Sequence, residues 1–456
     1  MQEDLSLFHK IAEKLFSEEE KNPVVKPIPP NKVYDEFNLH LDEDGITENE
    51  FAELIEKVVL NTPRTSSKLF FNQLFGGRNT KATLGELLAV LLNTSMYTYK
   101  VGGPQVGIEK ALLNEICDLI NYPKDAGGTF APGGSMSNFM ALLMARDVAN
   151  QNIKTEGVNQ KMTLYTSAES HYSIQKNASF AGVGTQQIRN IKTDEFGKMI
   201  PAEFEIQIQR DIADGFLPFF VNITAGTTVL GAFDDIQALD AIAKKYNIWS
   251  HVDGAYCGAV LFSKKYMHLI KGVENVDSFS FNAHKMLNTP LSSSIILTKN
   301  RYNLHHSFAC DANYLYQTDG DDFNLGKTSL QCGRRNDALK FWSLWKSVGT
   351  KGLEKMVNQQ FSLAETARNY IKENEDYTLY SYDDSISVCF NYKGIDPKLL
   401  CNLLYEEAKL MIGYGNFKGT DFVRLVTVNS NNSDKEIVNF FKVLEKFAAK
   451  LEVKQV

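Results

Sequence analysis

The chain has 456 residues, 43% hydrophobic and 23% charged, with a formal net charge of -7. These proportions fit a soluble globular protein and exclude a disordered or low-complexity chain; acids interspersed with Lys and Arg argue against a nucleic-acid partner. The length exceeds what one hydrophobic core supports, so a large domain and a smaller one are expected.

Residues 1–63 carry a helical pattern (Leu5, Phe8, Ile11, Leu15), a break from Pro23 to Pro30 and a second helix (Phe51, Leu54, Ile55, Val58). Such a segment is too small for its own core. Its apolar faces are expected on the main body or on a second subunit, with dimer packing favoured. LDEDGITENEF has its acidic residues out of register with a calcium loop and reads as a turn and helix N-cap. The start MQEDLSLFHK lacks a basic-then-apolar signal, and no apolar stretch nears the roughly 20 residues a bilayer requires. The six cysteines show no CxxC pair or metal-ligand spacing. A reduced, cytoplasmic protein with no metal site and no membrane partner is expected.

From 64 to 335, helical patterns alternate with short apolar strands: TLYTS (163–167), FFVNIT (219–224), IWSHVD (248–253), SFSFN (278–282) and SSIILT (293–298). Alternation of this kind predicts an α/β domain with a mostly parallel sheet covered by helices. Ligands collect at the carboxyl ends of such strands, where Asp253 and Asn282 fall. Residues 336–456 read as a small α+β domain. Its expected elements are a long helix from 352 to about 374, strands in SVCFNYK and DFVRLVTVN, and helices near 398–409 and 434–450.

Within this frame, Lys285 in SFNAHKMLNT follows Asp253 in WSHVDGAYCG by one strand. A lysine amine can hold an aldehyde as a Schiff base, and a buried carboxylate can keep a pyridine nitrogen protonated. The pair suggests a pyridoxal 5'-phosphate enzyme. FAPGGSMSNFMALLMAR supplies a Pro-Gly-Gly turn before an apolar helical run starting near Phe139. Amides at that helix start, with the Ser135 hydroxyl, can grip a phosphate; alone, the same residues would be only a turn. His171 in AESHYSIQK follows a predicted strand, where an imidazole could stack on the ring or simply pack. Thr227 and Thr228 in ITAGTTVLGAFD are caps or ligands on the edge that carries Asp253, and Gly226 permits close backbone approach.

In order, the segments NQLF, APGGSMSN, SAESHYSI, NITAGTTVLGAFDDI, HVDGAYCG, SFNAHKML, NYLYQ, QCGRRND and DFVRLV resemble the group II pyridoxal phosphate decarboxylases, most closely the glutamate and cysteine sulfinate branch. The resemblance runs from about Phe71 to Val428. It implies the aspartate aminotransferase-like fold (fold type I), with a seven-stranded large-domain sheet, and a homodimer with shared active sites. It also implies that Lys285 binds the cofactor covalently, Asp253 meets the ring nitrogen, His171 stacks on the ring and Ala255 packs on its other face. Gly134 and Ser135 match the phosphate turn, Asn282 and His284 the residues before the lysine, and Thr228 a cofactor contact. Tyr314 in NYLYQ matches a mobile-loop tyrosine that returns a proton to the substrate carbon after carbon dioxide leaves.

For substrate, Arg424 matches an arginine that pairs with the distal group of an acidic amino acid; its fork suits a carboxylate or sulfinate. Gln73 matches a substrate-facing glutamine. Phe75 stands where glutamate enzymes carry a smaller serine, which favours a shorter acid such as cysteine sulfinate or aspartate. The sequence departs from the family pattern at Ala283 (usually proline), at Gly254 and Tyr256 (usually alanine and tryptophan), in YKVGGPQVG, and in a shortened loop between Gln317 and Gln331. The expected activity is α-decarboxylation of an acidic L-amino acid. Alternatives are decarboxylation of an aromatic or other amino acid, decarboxylation coupled to oxidative deamination or transamination, and a non-catalytic binding subunit.

Overall fold

A computed structural model describes residues 2–21, 23–310, 316 and 321–454. The chain divides into two compact units. The larger comprises residues 78–362 and 381–387, the smaller residues 1–77, 363–380 and 388–456.

The larger unit is built on seven strands: β1 (Gly127–Ala131), β2 (Met162–Ser167), β3 (Ile188–Ile191), β4 (Leu217–Thr224), β5 (Trp249–Gly254), β6 (Ser278–Asn282) and β7 (Ser294–Thr298). Their order across the sheet is β1-β7-β6-β5-β4-β2-β3, and β7 alone runs antiparallel to its neighbours. Strands β2, β5, β6 and β7 are buried at every position, as expected for a sheet covered on both faces. The expected seven-stranded α/β architecture is thus the observed one. Each of the five strands expected from apolar runs falls within a residue or two of its place. The two unanticipated strands have weak patterns: β1 begins with two glycines, and β3 has only four residues with one buried position.

Six strands share one direction, so their carboxyl ends lie along one edge. The reversed strand β7 brings its start to that edge, with Ser294 opposite both Ala131 and Asn282. The helix Gly134–Ala149 leaves the same edge after β1. Its buried Met140, Ala141, Leu142, Met144 and Ala145 pack in a core with Leu164, Phe219, Phe220 and Ile296.

In the smaller unit β8 (Tyr377–Leu379), β9 (Ser387–Tyr392), β10 (Gly413–Phe417) and β11 (Thr420–Val426) form a sheet ordered β10-β11-β9-β8. The helix Asp434–Lys454 contributes Ile437, Phe440, Phe441 and Leu444 to its core. The helix expected from 352 to about 374 is present and ends at Lys372, and an unanticipated helical stretch from Ala338 precedes it across a break at Gly349, whose φ is 67°. The stretch LDEDGITENEF ends in a capped helix start. Thr47 Oγ1 accepts from the Glu50 amide, and Glu50 accepts from the Thr47 amide at 2.9 Å. Among the described residues no helix is long and apolar enough to cross a membrane.

Candidate active site

At the carboxyl edge of the large sheet lies a cavity of about 230 Å³. Gly134, Ser135, His171, Thr228, Asp253, Ala255, Asn282, His284 and Lys285 all line it. Sequence reasoning placed these nine residues in one site, and the fold brings them together from five loops.

Each side chain is held by its element. Asp253 is the next-to-last residue of β5, 3% exposed; its Oδ1 accepts from the Ala255 amide at 3.0 Å and its Oδ2 from Asn138 Nδ2 at 2.7 Å. Lys285 sits on a single helical turn, Ala283–Met286, directly after β6. Burial lowers the pKa of its amine, while the nearby Asp253 charge opposes that shift. A lysine desolvated in this way retains more of the neutral, nucleophilic form. His171 Nδ1 accepts from the Ser173 amide at 3.2 Å, and burial holds the ring below the usual histidine pKa. Ser170 fixes this loop through Thr224 Oγ1, 3.1 Å away.

The floor of the cavity is cross-braced from β7. Ser294 Oγ donates to Asn282 Oδ1 at 2.5 Å and lies 2.7 Å from Ser137 Oγ, and the Ser293 amide donates to His284 Nδ1 at 2.9 Å. Burial pushes His284 down to about 3, so it is neutral at physiological pH. The turn Gly133–Gly134 favours glycine. Gly133 has φ 132°, and a Cβ on Gly134 would stand 3.0 Å from Ala255 Cβ and 3.1 Å from Asn282 Nδ2. The first bonds of the helix Gly134–Ala149 run from Met136 and Ser137 to Gly133 O. The Gly134 and Ser135 amides therefore precede the ladder and suit an anion at the positive end of the helix.

The donor set fits a phosphorylated pyridine aldehyde: amides and a hydroxyl for a phosphate, a buried carboxylate for a ring nitrogen, a desolvated amine for an aldehyde. Residues 30–393 match the model of the pyridoxal-dependent decarboxylase conserved domain. The chain belongs to the pyridoxal-dependent decarboxylases. It is an amino acid decarboxylase, and its cofactor is pyridoxal phosphate. Human cysteine sulfinic acid decarboxylase is 35% identical over 428 residues, covering 88% of this chain and 86% of the relative. Mouse acidic amino acid decarboxylase GADL1 is 34% identical over 435 residues, covering 90% and 78%. The crystal structure of mouse CSAD superposes with a TM-score of 0.93 at 31% identity over 97% of each chain. That of the Oryza sativa TDC with PLP and tryptamine reaches 0.91 at 22% identity, a likeness of fold.

Four further residues of the decarboxylase line the cavity without having been expected there: Asn138, Tyr172, Thr224 and Tyr256 as a wall. Asn138 had a faint signal, an amide inside an otherwise apolar helical run. Thr227, one of two threonines considered, caps its own turn, with Oγ1 accepting from the Ala232 amide at 3.0 Å. Gly226 has φ 95°, and a Cβ there would meet Cys257 Sγ at 2.5 Å, so this turn needs glycine on both counts.

The residues expected to meet substrate lie in the smaller unit. Arg424, half-buried on β11 opposite Gly413, donates from Nη2 to Asn72 O at 3.0 Å. Asn72 is followed by the exposed Gln73 and the half-buried Phe75, whose ring centroid lies 6.2 Å from that of Phe70. Tyr314 lies outside the described residues, as does Gln317.

Proposed function

We propose that this decarboxylase removes the α-carboxylate of an acidic L-amino acid of the cysteine sulfinate, aspartate or glutamate type, releasing the amine and carbon dioxide. The observation that carries the assignment of roles is the convergence of Lys285, Asp253 and His171 on one cavity of about 230 Å³. Bound pyridoxal phosphate supplies an electron sink for the pair left on the substrate's Cα.

The chain's own residues do the rest. Lys285 offers the amine that anchors the cofactor. Asp253 keeps a proton on the ring nitrogen through a charge-assisted hydrogen bond. His171 covers one ring face and Ala255 the other, while Gly134 and Ser135 take the phosphate, and Thr228, Asn282 and His284 hold the cofactor's remaining polar edge. Arg424 pairs with the distal acid, and Gln73 and Phe75 shape the pocket for a short side chain. Tyr314 returns a proton to Cα after carbon dioxide leaves, which suppresses the transaminating side reaction.

The enzyme works as a homodimer with shared active sites. That assembly is supported by the apolar side chains a single chain leaves exposed: Leu84, Leu87, Leu88, Leu91 and Leu92 on the helix Thr80–Leu92, and Leu5, Phe8 and Phe16 on the helix Gln2–Lys21. Residues 1–63 serve as a dimer-packing segment ahead of a cofactor domain (64–335) and a small domain (336–456). Six thiols free of disulfides support a cytoplasmic location.

The purified protein should be yellow, and Lys285→Ala should abolish the colour; a wild-type protein that stays colourless with added cofactor would sink the assignment. Carbon dioxide release should favour aspartate, cysteine sulfinate or glutamate over aromatic amino acids. Preference for an aromatic substrate would overturn the role given to Arg424.

A further inference from the structure

Behind the cavity, a single file of buried polar groups leads away from Asp253. Trp249 Nε1 donates to Ser278 Oγ at 2.8 Å; Ser278 Oγ lies 2.9 Å from His251 Nδ1; His251 Nε2 lies 3.1 Å from Asn138 Oδ1; Asn138 Nδ2 reaches Asp253 Oδ2 at 2.7 Å. Asn138 is 1% exposed, and His251 and Ser278 are fully buried.

The carboxylate end fixes the direction of the bonds, because a carboxylate can only accept. Asn138 therefore turns its NH₂ to Asp253 and its Oδ1 to His251, and a neutral ring must carry its proton on Nε2 to serve that oxygen. Nδ1 is then an acceptor and takes the Ser278 proton, while a lone pair of Ser278 Oγ accepts from the Trp249 N–H. Asn138 is thereby held with its NH₂ toward Asp253, an orientation seconded by Ser173 Oγ, which accepts from the same Nδ2 at 3.3 Å, and by Ser280 Oγ, 3.4 Å from Oδ1. Burial drives His251 down to about 4, consistent with a neutral ring.

We propose that Asn138 and His251 are positioning residues: the one-directional chain Trp249–Ser278–His251–Asn138 locks the rotamer and the negative charge of Asp253 so that its free lone pairs face the ring nitrogen. An amide that could turn over would present oxygen to the carboxylate and repel it. The aligned donors also replace the water that a buried anion would otherwise need. This inference rests on Asp253 meeting the ring nitrogen, as proposed above.

The test is an affinity measurement, not a rate. Full-length protein freed of cofactor is titrated with pyridoxal phosphate and, separately, with its analogue in which carbon replaces the ring nitrogen, for wild type, Asn138→Leu, His251→Phe and the gentler Ser278→Ala. Wild type should prefer pyridoxal phosphate. Asn138→Leu should weaken binding of pyridoxal phosphate by roughly tenfold or more, the scale of one charge-assisted hydrogen bond. His251→Phe and Ser278→Ala should weaken it by successively less, while binding of the analogue stays within about twofold throughout. Equal losses for both ligands in every folded variant would overturn the inference and make the chain mere packing. A wild type blind to the ring nitrogen would instead overturn the role of Asp253, and the inference with it. Should the first two variants fail to fold, Ser278→Ala, which deletes one hydroxyl, decides between these outcomes.

Discussion

The amine of Lys285 lies 6.0 Å from the centroid of the Tyr256 ring, and the Tyr256 hydroxyl is 2.9 Å from Ser387 Oγ. The ring is 3% exposed and walls the amine from water, which is part of why burial lowers the lysine's pKa. Tyr256→Phe keeps the wall and loses one hydrogen bond, a cost of about 1 kcal/mol in stability. Tyr256→Ala lets water reach the amine, whose pKa then climbs toward its ordinary value. Cofactor capture at pH 7, followed by the rise of yellow absorbance in stopped flow, should slow several-fold in Tyr256→Ala and hold in Tyr256→Phe.

Gly226→Ala should be among the most damaging single-methyl changes in the larger unit. The position has φ 95°, and the new carbon would stand 2.5 Å from Cys257 Sγ. Left-handed strain and overpacking together cost roughly 2–4 kcal/mol. Thermal unfolding of the apo-protein should report it as a clear fall in midpoint.

If Arg424 grips the distal acid of the substrate, Arg424→Met should raise KM for acidic amino acids by about a hundredfold or more, the loss of a charge-assisted pair. Arg424→Lys, which keeps the charge without the fork, should recover only part. Affinity for a carboxylate substrate should weaken as pH falls toward about 4, where that group protonates. A sulfinate, the stronger acid, should hold to lower pH. Substrate affinity followed from pH 8 down through about pH 4 with both substrates separates these outcomes.

His251 carries a pH signature of its own. It is neutral in the folded protein, with its pKa depressed from 6.5 to about 4. The unfolded chain therefore binds a proton that the folded one refuses as pH falls below 6.5. The contribution is absent above that value, and stability is lost progressively down to about 4. Between pH 7 and pH 5 the loss is about 2 kcal/mol. Urea unfolding of wild type and His251→Phe at both values should show the wild type losing that much more on acidification, other groups cancelling in the difference.

Much of this molecule was legible in its sequence. The strands β2, β4, β5, β6 and β7 are runs of apolar residues ending in polar ones, and runs of that kind are what a doubly covered sheet demands. Lys285, Asp253 and His171 were legible because each combines a chemically distinctive side chain with a strand end. Asn138, His251 and Ser278 were not, because a buried polar residue gains its meaning from partners far off in sequence: Asn138 meets His251 only once β5 lies beneath the helix Gly134–Ala149. Strand β1 was hidden by its glycines, and the helical stretch from Ala338 to the break at Gly349 was not anticipated. The partition into units also escapes local pattern, since residues 381–387 join the larger unit from within the later part of the chain.

Strand β7 enters the sheet against the traffic of the other six, and so its opening serines, Ser293 and Ser294, reach the edge where the others finish. Ser294 ties the helix Gly134–Ala149, through Ser137, to Asn282, and Ser293 steadies His284. Two loops separated by some 150 residues are thus clamped by a third that takes no part in chemistry. Deleting one residue from β7 would invert its faces, swing both serines out of reach and dismantle the cradle while leaving every residue assigned a catalytic role unaltered.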